Sequence, residues 1–153
     1  MARFILQDAG VVGLLCSAPS LPNVASALEW LSRRVARDAK IVLTDLTDYE
    51  VRRELDRLGA IKKLGRLERL RDESLTIGVS HEAWVKASEF WAITRREGRP
   101  TADPHSLDGD TILAGVAATV GPPGDSVTIA TTNVGHLSRF PGIDARSWES
   151  IEA

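Results

Sequence analysis

Four short apolar runs, separated by stretches with helical periodicity, constrain the fold of this chain more than any other feature. The runs are Phe4–Leu6, Ile41–Leu43, Leu75–Ile77 and Val127–Ala130. Their length and their content of branched residues predict buried strands. Strands that alternate with helices predict an α/β fold, here a three-layer α/β/α arrangement around a parallel central sheet of about four to five strands.

Capping residues, prolines and glycines predict where the helices begin and end. We expect helices from about Ser20, from about Asp45 to Gly59, from about Ala60 to Arg71, from Ser80 to Gly98, and from Asp110 to a stop at residues 121–124. A turn is expected at residues 8–10 and a loop at residues 99–107, which is rich in proline and small polar residues.

Length and composition indicate one globular domain spanning residues 1–153. Hydrophobic residues make up 43% of the chain and charged residues 26%, which is typical of a folded protein. The single cysteine, Cys16, cannot form an internal disulfide, so a reducing cytoplasm is expected. No run approaches the roughly 20 apolar residues that a spanning helix needs, which predicts a protein without a membrane segment.

The charge distribution leaves binding to nucleic acid open. The formal net charge of −2 provides no overall attraction to a polyanion. Residues 52–71 nevertheless contain eight basic side chains: Arg52, Arg53, Arg57, Lys62, Lys63, Arg66, Arg69 and Arg71. This basic segment either holds a phosphate backbone or is a solvated face of two helices, with Glu54, Asp56 and Glu68 interspersed.

Acidic and polar side chains lie where a parallel sheet gathers its ligands. Asp8 follows the first strand, Glu50 lies one or two helical turns beyond the second, and Thr131 and Asn133 follow the fourth. Asp110, at a helix start, is the third acid of the candidate cluster. Clustered carboxylates repel one another unless a cation is bound, and oxygen ligands favour Mg²⁺ or Mn²⁺. Such an ion promotes phosphodiester hydrolysis. Taken singly, each residue has an ordinary structural role as a cap, a turn residue or a solvated side chain.

The order and spacing of these residues resemble the motifs of PIN-domain nucleases over nearly the whole chain, and in particular the VapC-type toxin subgroup. The matching segments are the strand ending in Asp8, residues 48–55 around Glu50, residues 110–117 beginning with Asp110, residues 129–137 with Thr131 and Asn133, and residues 140–143 followed by Trp148. The resemblance implies that Asp8, Glu50 and Asp110 are metal ligands and that Thr131 and Asn133 steady the metal, water or phosphate.

Two positions depart from the family pattern. The usual Asp-Thr-Asn reads Asp8-Ala9-Gly10, and His136 stands where members often carry an aspartate. Asp108, expected just before the helix, is a candidate for the missing carboxylate, and Asp103 is a more distant one. His136 is expected to be structural or to support a ligand, because Mg²⁺ prefers harder donors than imidazole.

The resemblance implies a metal-dependent endoribonuclease that acts on RNA, forms a homodimer and binds an antitoxin protein. The alternative is a catalytically weak or inactive PIN scaffold that binds RNA or a protein. A phosphatase of another doubly wound fold ranks last, because no glycine-rich phosphate loop is present.

Two patterns of apolar residues are compatible either with the protein core or with a surface that binds a partner. Trp84 and Trp91 share one face of the predicted long helix and belong either to the core or to an interface. Leucine or isoleucine recurs every third residue from Leu55 to Leu70, in two short helices that we expect to clamp a partner helix.

Overall fold

A five-stranded parallel sheet forms the centre of the computed structural model, which describes residues 1–98 and 104–152, the latter with side chains from residue 107 onward. The strands are β1 (Arg3–Gln7), β2 (Lys40–Thr44), β3 (Leu75–Ile77), β4 (Ser126–Thr131) and β5 (Ala145–Ser147). Their spatial order is β3-β2-β1-β4-β5, and every neighbouring pair is parallel. The predicted parallel sheet is confirmed, with β1 at its centre.

Helices cover both faces of the sheet. They are α1 (Ala9–Cys16), α2 (Pro22–Ala36), α3 (Asp45–Leu58), α4 (Ile61–Glu73), α5 (His81–Glu97), α6 (Pro104–Thr119) and α7 (Val134–Leu137), with a 3-10 turn at Trp148–Ser150. Successive strand residues point to opposite faces. Ile5 therefore joins the core beneath α1 to α4, whereas Leu6 joins the core beneath α5 and α6. The predicted three-layer α/β/α fold is confirmed.

The expected turn at residues 8–10 is wrong, because the chain enters helix α1 directly after Asp8. Asp8 is the N-cap residue, and its Oδ1 accepts a hydrogen bond from the Val11 N–H at 2.8 Å. Residues 9–16 are almost uniformly apolar and include two glycines, so they show no helical period. Such a segment becomes helical because it is buried against the sheet, which periodicity alone does not detect.

Helix α6 begins before the predicted position. It starts at Pro104, so Asp110 lies in its second turn and Asp108 lies inside it. The expected start at Asp110 and the expected placement of Asp108 ahead of the helix are both wrong. Residues 104–107 of the predicted loop are helical, and residues 99–103, including the candidate Asp103, lie outside the described residues. Proline and small polar residues suit the first turn of a helix as well as a loop, which explains the error.

The register of β1 and β4 brings the two halves of the candidate site together. Gln7 pairs with Ala130, and the Asp8 N–H donates to the Ala130 carbonyl at 3.1 Å. Asp8 and Thr131 therefore leave adjacent strands at the same edge of the sheet. Among the described residues, no helix is both long and apolar enough to cross a membrane.

Candidate active site

Three carboxylates from three different elements converge beyond the carboxyl ends of β1 and β2. Asp8 caps α1, Glu50 lies in α3, and Asp110 lies in α6. Burial raises the pKa of Glu50, and the negative charges of Asp110 and Asp8 raise it further. Burial also raises the pKa of Asp110, and Asp8 adds to that shift. Glu50 therefore lies within the electrostatic field of both aspartates, and Asp110 lies within that of Asp8.

Asp8 is fixed by several donors. Its Oδ2 accepts a short hydrogen bond from the Thr131 hydroxyl, and its Oδ1 accepts from Val11. Burial raises the pKa of Asp8, while hydrogen bonds from Thr131 and from the backbone N–H groups of Val11, Thr132 and Gly10 oppose that shift. The carboxylate is thus held in one orientation before any ligand arrives.

Thr131 links Asp8 to the chain that follows β4. Its side chain is fully buried, and its hydroxyl accepts a hydrogen bond at 2.8 Å from the Asn133 N–H while donating to Asp8. Asn133 itself is exposed and precedes helix α7 without capping it through its side chain. The Asn133 carboxamide therefore remains accessible to a ligand near the cluster.

Asp110 has the most perturbed carboxyl group of the site. Burial raises its pKa to about 6, whereas His136 and Arg139 act in the opposite direction. The Oδ2 atom is buried and makes no hydrogen bond to any described residue. Arg139 Nη2 lies 3.6 Å away and His136 Nδ1 lies 3.8 Å away. Two nitrogen atoms of basic side chains therefore lie near this oxygen, but neither of them donates a hydrogen bond to it.

Glycine makes room for Glu50. A Cβ atom at Gly109 would lie 2.8 Å from Glu50 Oε2, closer than real Cβ atoms approach an oxygen. Helix α6 therefore presents bare backbone to the Glu50 carboxylate one residue before Asp110. A side chain at position 109 would require the end of the Glu50 side chain to move.

Asp108 is separated from the cluster by the geometry of its helix. Residues two apart lie on different faces of a helix. Asp108 is exposed and lines a groove of about 410 Å³ between α5 and α6 with Trp84 and Trp91. The structure thus brings together Asp8, Glu50, Asp110 and Thr131, and it places Asp108 beside a different surface.

The donors of the cluster are of the type that a hard divalent cation prefers. All three acids offer oxygen, the Asp110 Oδ2 atom lacks a hydrogen bond, and the repulsion between the carboxylates is of the kind that a cation relieves. Within residues 1–98 and 104–152, however, no group of three or more His, Cys, Asp or Glu side chains is placed so that it could hold a metal ion. The donor types therefore suit Mg²⁺ or Mn²⁺, whereas the side chains as placed do not form a complete ligand set.

The site contains three residues that the sequence motifs did not predict: Arg53, Thr132 and Arg139. The Arg139 side chain is only 12% exposed and lies against Asp110, and Arg53 lowers the pKa of Glu50. The Thr132 N–H acts on Asp8. The contact between Arg139 and Asp110 depends on how α7 packs against α6. No local sequence pattern predicts that packing. The spacing of Glu50 and Arg53 on one helix could have revealed the other contact.

Much of the basic segment is paired within the fold. Arg52 binds Asp48 and Glu68, Arg57 binds Glu54, and Arg71 binds Asp45 and Asp48. Arg66 donates to the Cys16 carbonyl. The interpretation as an ion-paired helix face is therefore confirmed for three of the eight basic side chains, and a fourth is bound to a backbone carbonyl.

Comparisons with known proteins identify the fold. No protein-family model and no curated protein sequence matches the chain. The structure of VapBC2 from Rickettsia felis bound to a DNA fragment from the VapBC2 promoter matches this chain with a TM-score of 0.73 and 14% identity. The match covers 95% of this chain and 99% of that one.

Two further solved structures match similarly. DNA-bound VapBC from Salmonella typhimurium has a TM-score of 0.72 and 18% identity, covering 97% of this chain and 99% of that one. FitAcB from Neisseria gonorrhoeae has a TM-score of 0.69 and 19% identity, covering 96% and 99%. At this identity the likeness concerns the fold. The chain therefore has the PIN-like fold of VapC-type proteins, which confirms the resemblance carried by its motifs.

Proposed function

We propose that this protein is a metal-dependent endoribonuclease of the toxin type, which hydrolyses RNA phosphodiester bonds with Mg²⁺ or Mn²⁺. The observation that carries the proposal is that Asp8, Glu50 and Asp110 lie near one another at one end of the sheet, and that a buried Asp110 oxygen has no hydrogen bond. The PIN-like fold, shared with proteins of toxin–antitoxin type, supports the nuclease class.

The chain's own residues have distinct roles in this proposal. Asp8, Glu50 and Asp110 would hold the cation, with Asp8 oriented by Thr131 and the start of α1. A divalent cation at such a site supplies neutralisation of charge on the phosphate and eases loss of a proton from an attacking water. Asn133 presents its exposed carboxamide to the phosphate, and Arg139 places a fixed positive charge beside Asp110.

Cleavage of a single-stranded RNA tests this function. The wild-type protein should cut RNA in Mn²⁺ and lose all cutting in excess chelator. Asp110→Asn should abolish cleavage, because it removes a charged ligand with little change in shape. Asp108→Asn is the matched control, since Asp108 lies on the same helix but is exposed on another face. Metal-dependent cleavage by the Asp110→Asn variant at the wild-type rate would refute the assignment.

A second candidate is a PIN scaffold that binds RNA or a protein without cutting. Two observations favour it: Arg139 and His136 lie close enough to Asp110 to neutralise part of its charge, and no group of three or more His, Cys, Asp or Glu among the described residues is placed to hold a metal ion. Calorimetric titration with Mn²⁺ separates the two functions. Absence of binding at millimolar metal would favour the scaffold.

For a protein partner, we propose an antitoxin segment that binds an apolar groove between α2 and α4. The groove has a volume of about 500 Å³ and is lined by Leu31, Val35, Ile41 and Leu70. The predicted clamp is only partly available, because Leu55, Leu67 and Leu70 are buried in the monomer core. Val35 is exposed, so Val35→Glu should weaken copurification with a coexpressed antitoxin protein without unfolding the chain.

For the oligomeric state, we propose a homodimer through α5. Trp84 is 50% exposed and Trp91 is 42% exposed, so neither belongs to the core of the monomer, whereas Ala87 between them is buried. Exposed tryptophans beside a groove are typical of interfaces. Sedimentation should show a dimer that Trp84→Ser combined with Trp91→Ser converts to a monomer.

A further inference from the structure

Tyr49 and Arg53 form an exposed stack at the edge of the acidic cluster. The Tyr49 side chain is 58% exposed, although it lies on a helix whose neighbouring residues Asp48 and Val51 are buried. The Arg53 guanidinium lies over the Tyr49 ring, 5.1 Å from the ring centroid. An arginine at this distance from an aromatic ring is held by cation–π attraction.

Helix geometry places this stack directly beside Glu50. At 3.6 residues per turn, Arg53 projects from α3 between the directions of Tyr49 and Glu50. At this position the positive charge of Arg53 lowers the pKa of Glu50, although burial raises it overall. The aromatic ring, the guanidinium and the carboxylate therefore follow one another along a continuous strip of α3.

Arg53 is also available to a ligand. Arg52, Arg57 and Arg71, its neighbours in the basic segment, are bound to acidic side chains. Among the described residues, no carboxylate forms an ion pair with Arg53, whose partner is the Tyr49 ring. An exposed planar pair whose positive charge forms no close ion pair with the described residues suits a flat group attached to an anion.

We propose that Tyr49 and Arg53 form a subsite that stacks one unpaired base of an RNA strand, next to the phosphate bound at the acidic cluster. This inference rests on the proposed ribonuclease function and specifies that the substrate is single-stranded there. Bases of single strands stack on aromatic rings and on arginine planes, and a duplex cannot offer a base in this way. Arg53 would contact the adjacent phosphate while Tyr49 supports the base.

The chain contains a matched control pair. Arg95 lies over the Trp91 ring, 5.4 Å from its centroid, with the same spacing of four residues on an exposed helix face. That pair lies on α5, and neither of its members shifts the pKa of Asp8, Glu50 or Asp110. An Arg95→Gln variant therefore removes a comparable aromatic–arginine stack away from the cluster and leaves Trp84 and Trp91 of the proposed dimer interface unchanged.

The experiment measures binding of a labelled single-stranded RNA of about ten nucleotides by anisotropy, in Ca²⁺, which replaces the catalytic metal. Tyr49→Ala should weaken binding roughly 5- to 100-fold, as expected for loss of one stacked base. Tyr49→Phe should bind like the wild type, and Arg95→Gln should also bind like the wild type. Arg53→Gln should weaken binding and reduce its salt dependence.

A spectroscopic readout separates stacking from a general structural effect. The emission of 2-aminopurine, placed in turn at each position of the RNA, should be quenched at one position by the wild type and by Tyr49→Phe, and not by Tyr49→Ala. Equal affinity and equal quenching for the wild type and Tyr49→Ala would overturn the subsite while leaving the ribonuclease function standing. Failure of the wild type to bind any single-stranded RNA would overturn both.

Discussion

Gly10 and Thr132 are in such close contact that the residue at position 10 cannot carry a side chain without displacing Thr132. A Cβ atom at Gly10 would lie 2.1 Å from the Thr132 Oγ1 atom and 3.2 Å from its Cβ. Position 10 is where PIN-domain motifs usually have asparagine. The departure at this position is therefore coupled to the threonine that follows β4, and both residues also direct backbone N–H groups at Asp8.

This contact predicts that Gly10→Ala and Thr132→Ala are not additive. In the wild-type background, Gly10→Ala should lower the free energy of unfolding by about 1–3 kcal/mol, the usual result of overpacking. In the Thr132→Ala background the loss should be clearly smaller, because the contacts with the Thr132 Oγ1 and Cγ2 atoms are removed and only the tight contact with Cβ remains. Urea unfolding of the four proteins measures the coupling. Independent effects would contradict the contact.

The raised pKa of Asp110 leads us to predict an unusual dependence of the unfolding free energy on pH. Its pKa is about 6 in the folded protein, above the unfolded value of 3.8, so the folded state retains the proton longer. The unfolding free energy should therefore fall as pH rises from about 4 to 6. Because Asp110→Asn removes this titration, the variant should be more stable than the wild type at pH 7.5, by up to about 3 kcal/mol.

The same substitution should have little effect on stability at pH 4, where the wild-type carboxyl group is largely protonated. Thermal unfolding of both proteins at the two pH values is the measurement. A wild-type protein that is the more stable at pH 7.5 without metal would show that the charged form of Asp110 is favoured in the fold.

We predict that the positive charge of Arg139 weakens the binding of a metal ion at Asp110. Its guanidinium lies 3.6 Å from Asp110 Oδ2 and opposes the approach of a second positive charge. Arg139→Gln should tighten Mn²⁺ binding roughly 5-fold, as expected for loss of about 1 kcal/mol of repulsion. Arg146→Gln is the control, because Arg146 is bound to Asp144 at the exposed end of the sheet. Unchanged Mn²⁺ affinity in Arg139→Gln would rule out this competition.

We predict that replacing the buried Gln7 by an apolar residue stabilises the fold. Its side chain is fully buried, and neither its Oε1 nor its Nε2 atom has a hydrogen-bond partner among the described residues. Burying an amide without partners costs about 1–3 kcal/mol. Gln7→Met has a similar volume and no amide, so it should raise the unfolding free energy in urea. A loss of stability would instead show that ordered water satisfies the amide.

The sequence was sufficient for the parts of the fold that local patterns determine. Branched apolar runs identified four of the five strands, and Ser80 and Gly98 marked the ends of α5. Short segments without a period were harder: α1 is apolar on every side, and β5 has only three residues. In both cases tertiary burial decides the conformation.

The candidate site divides in the same way. The motif order identified Asp8, Glu50, Asp110 and Thr131, which the fold brings together. It also suggested Asp108, because the start of α6 was expected too late in the chain. Arg139 reaches Asp110 only through the packing of the segment after β4, and no spacing rule could have predicted that contact.

Calorimetric titration with Mn²⁺ tests the central claim most directly, because it measures the cation site without requiring an RNA target. The account predicts that the wild type and Asp108→Asn bind Mn²⁺ with the same affinity, and that Asp8→Asn, Glu50→Gln and Asp110→Asn each bind it much more weakly. If Asp110→Asn bound Mn²⁺ as tightly as the wild type, or if Asp108→Asn lost binding instead, the cation would not be held by these three acids.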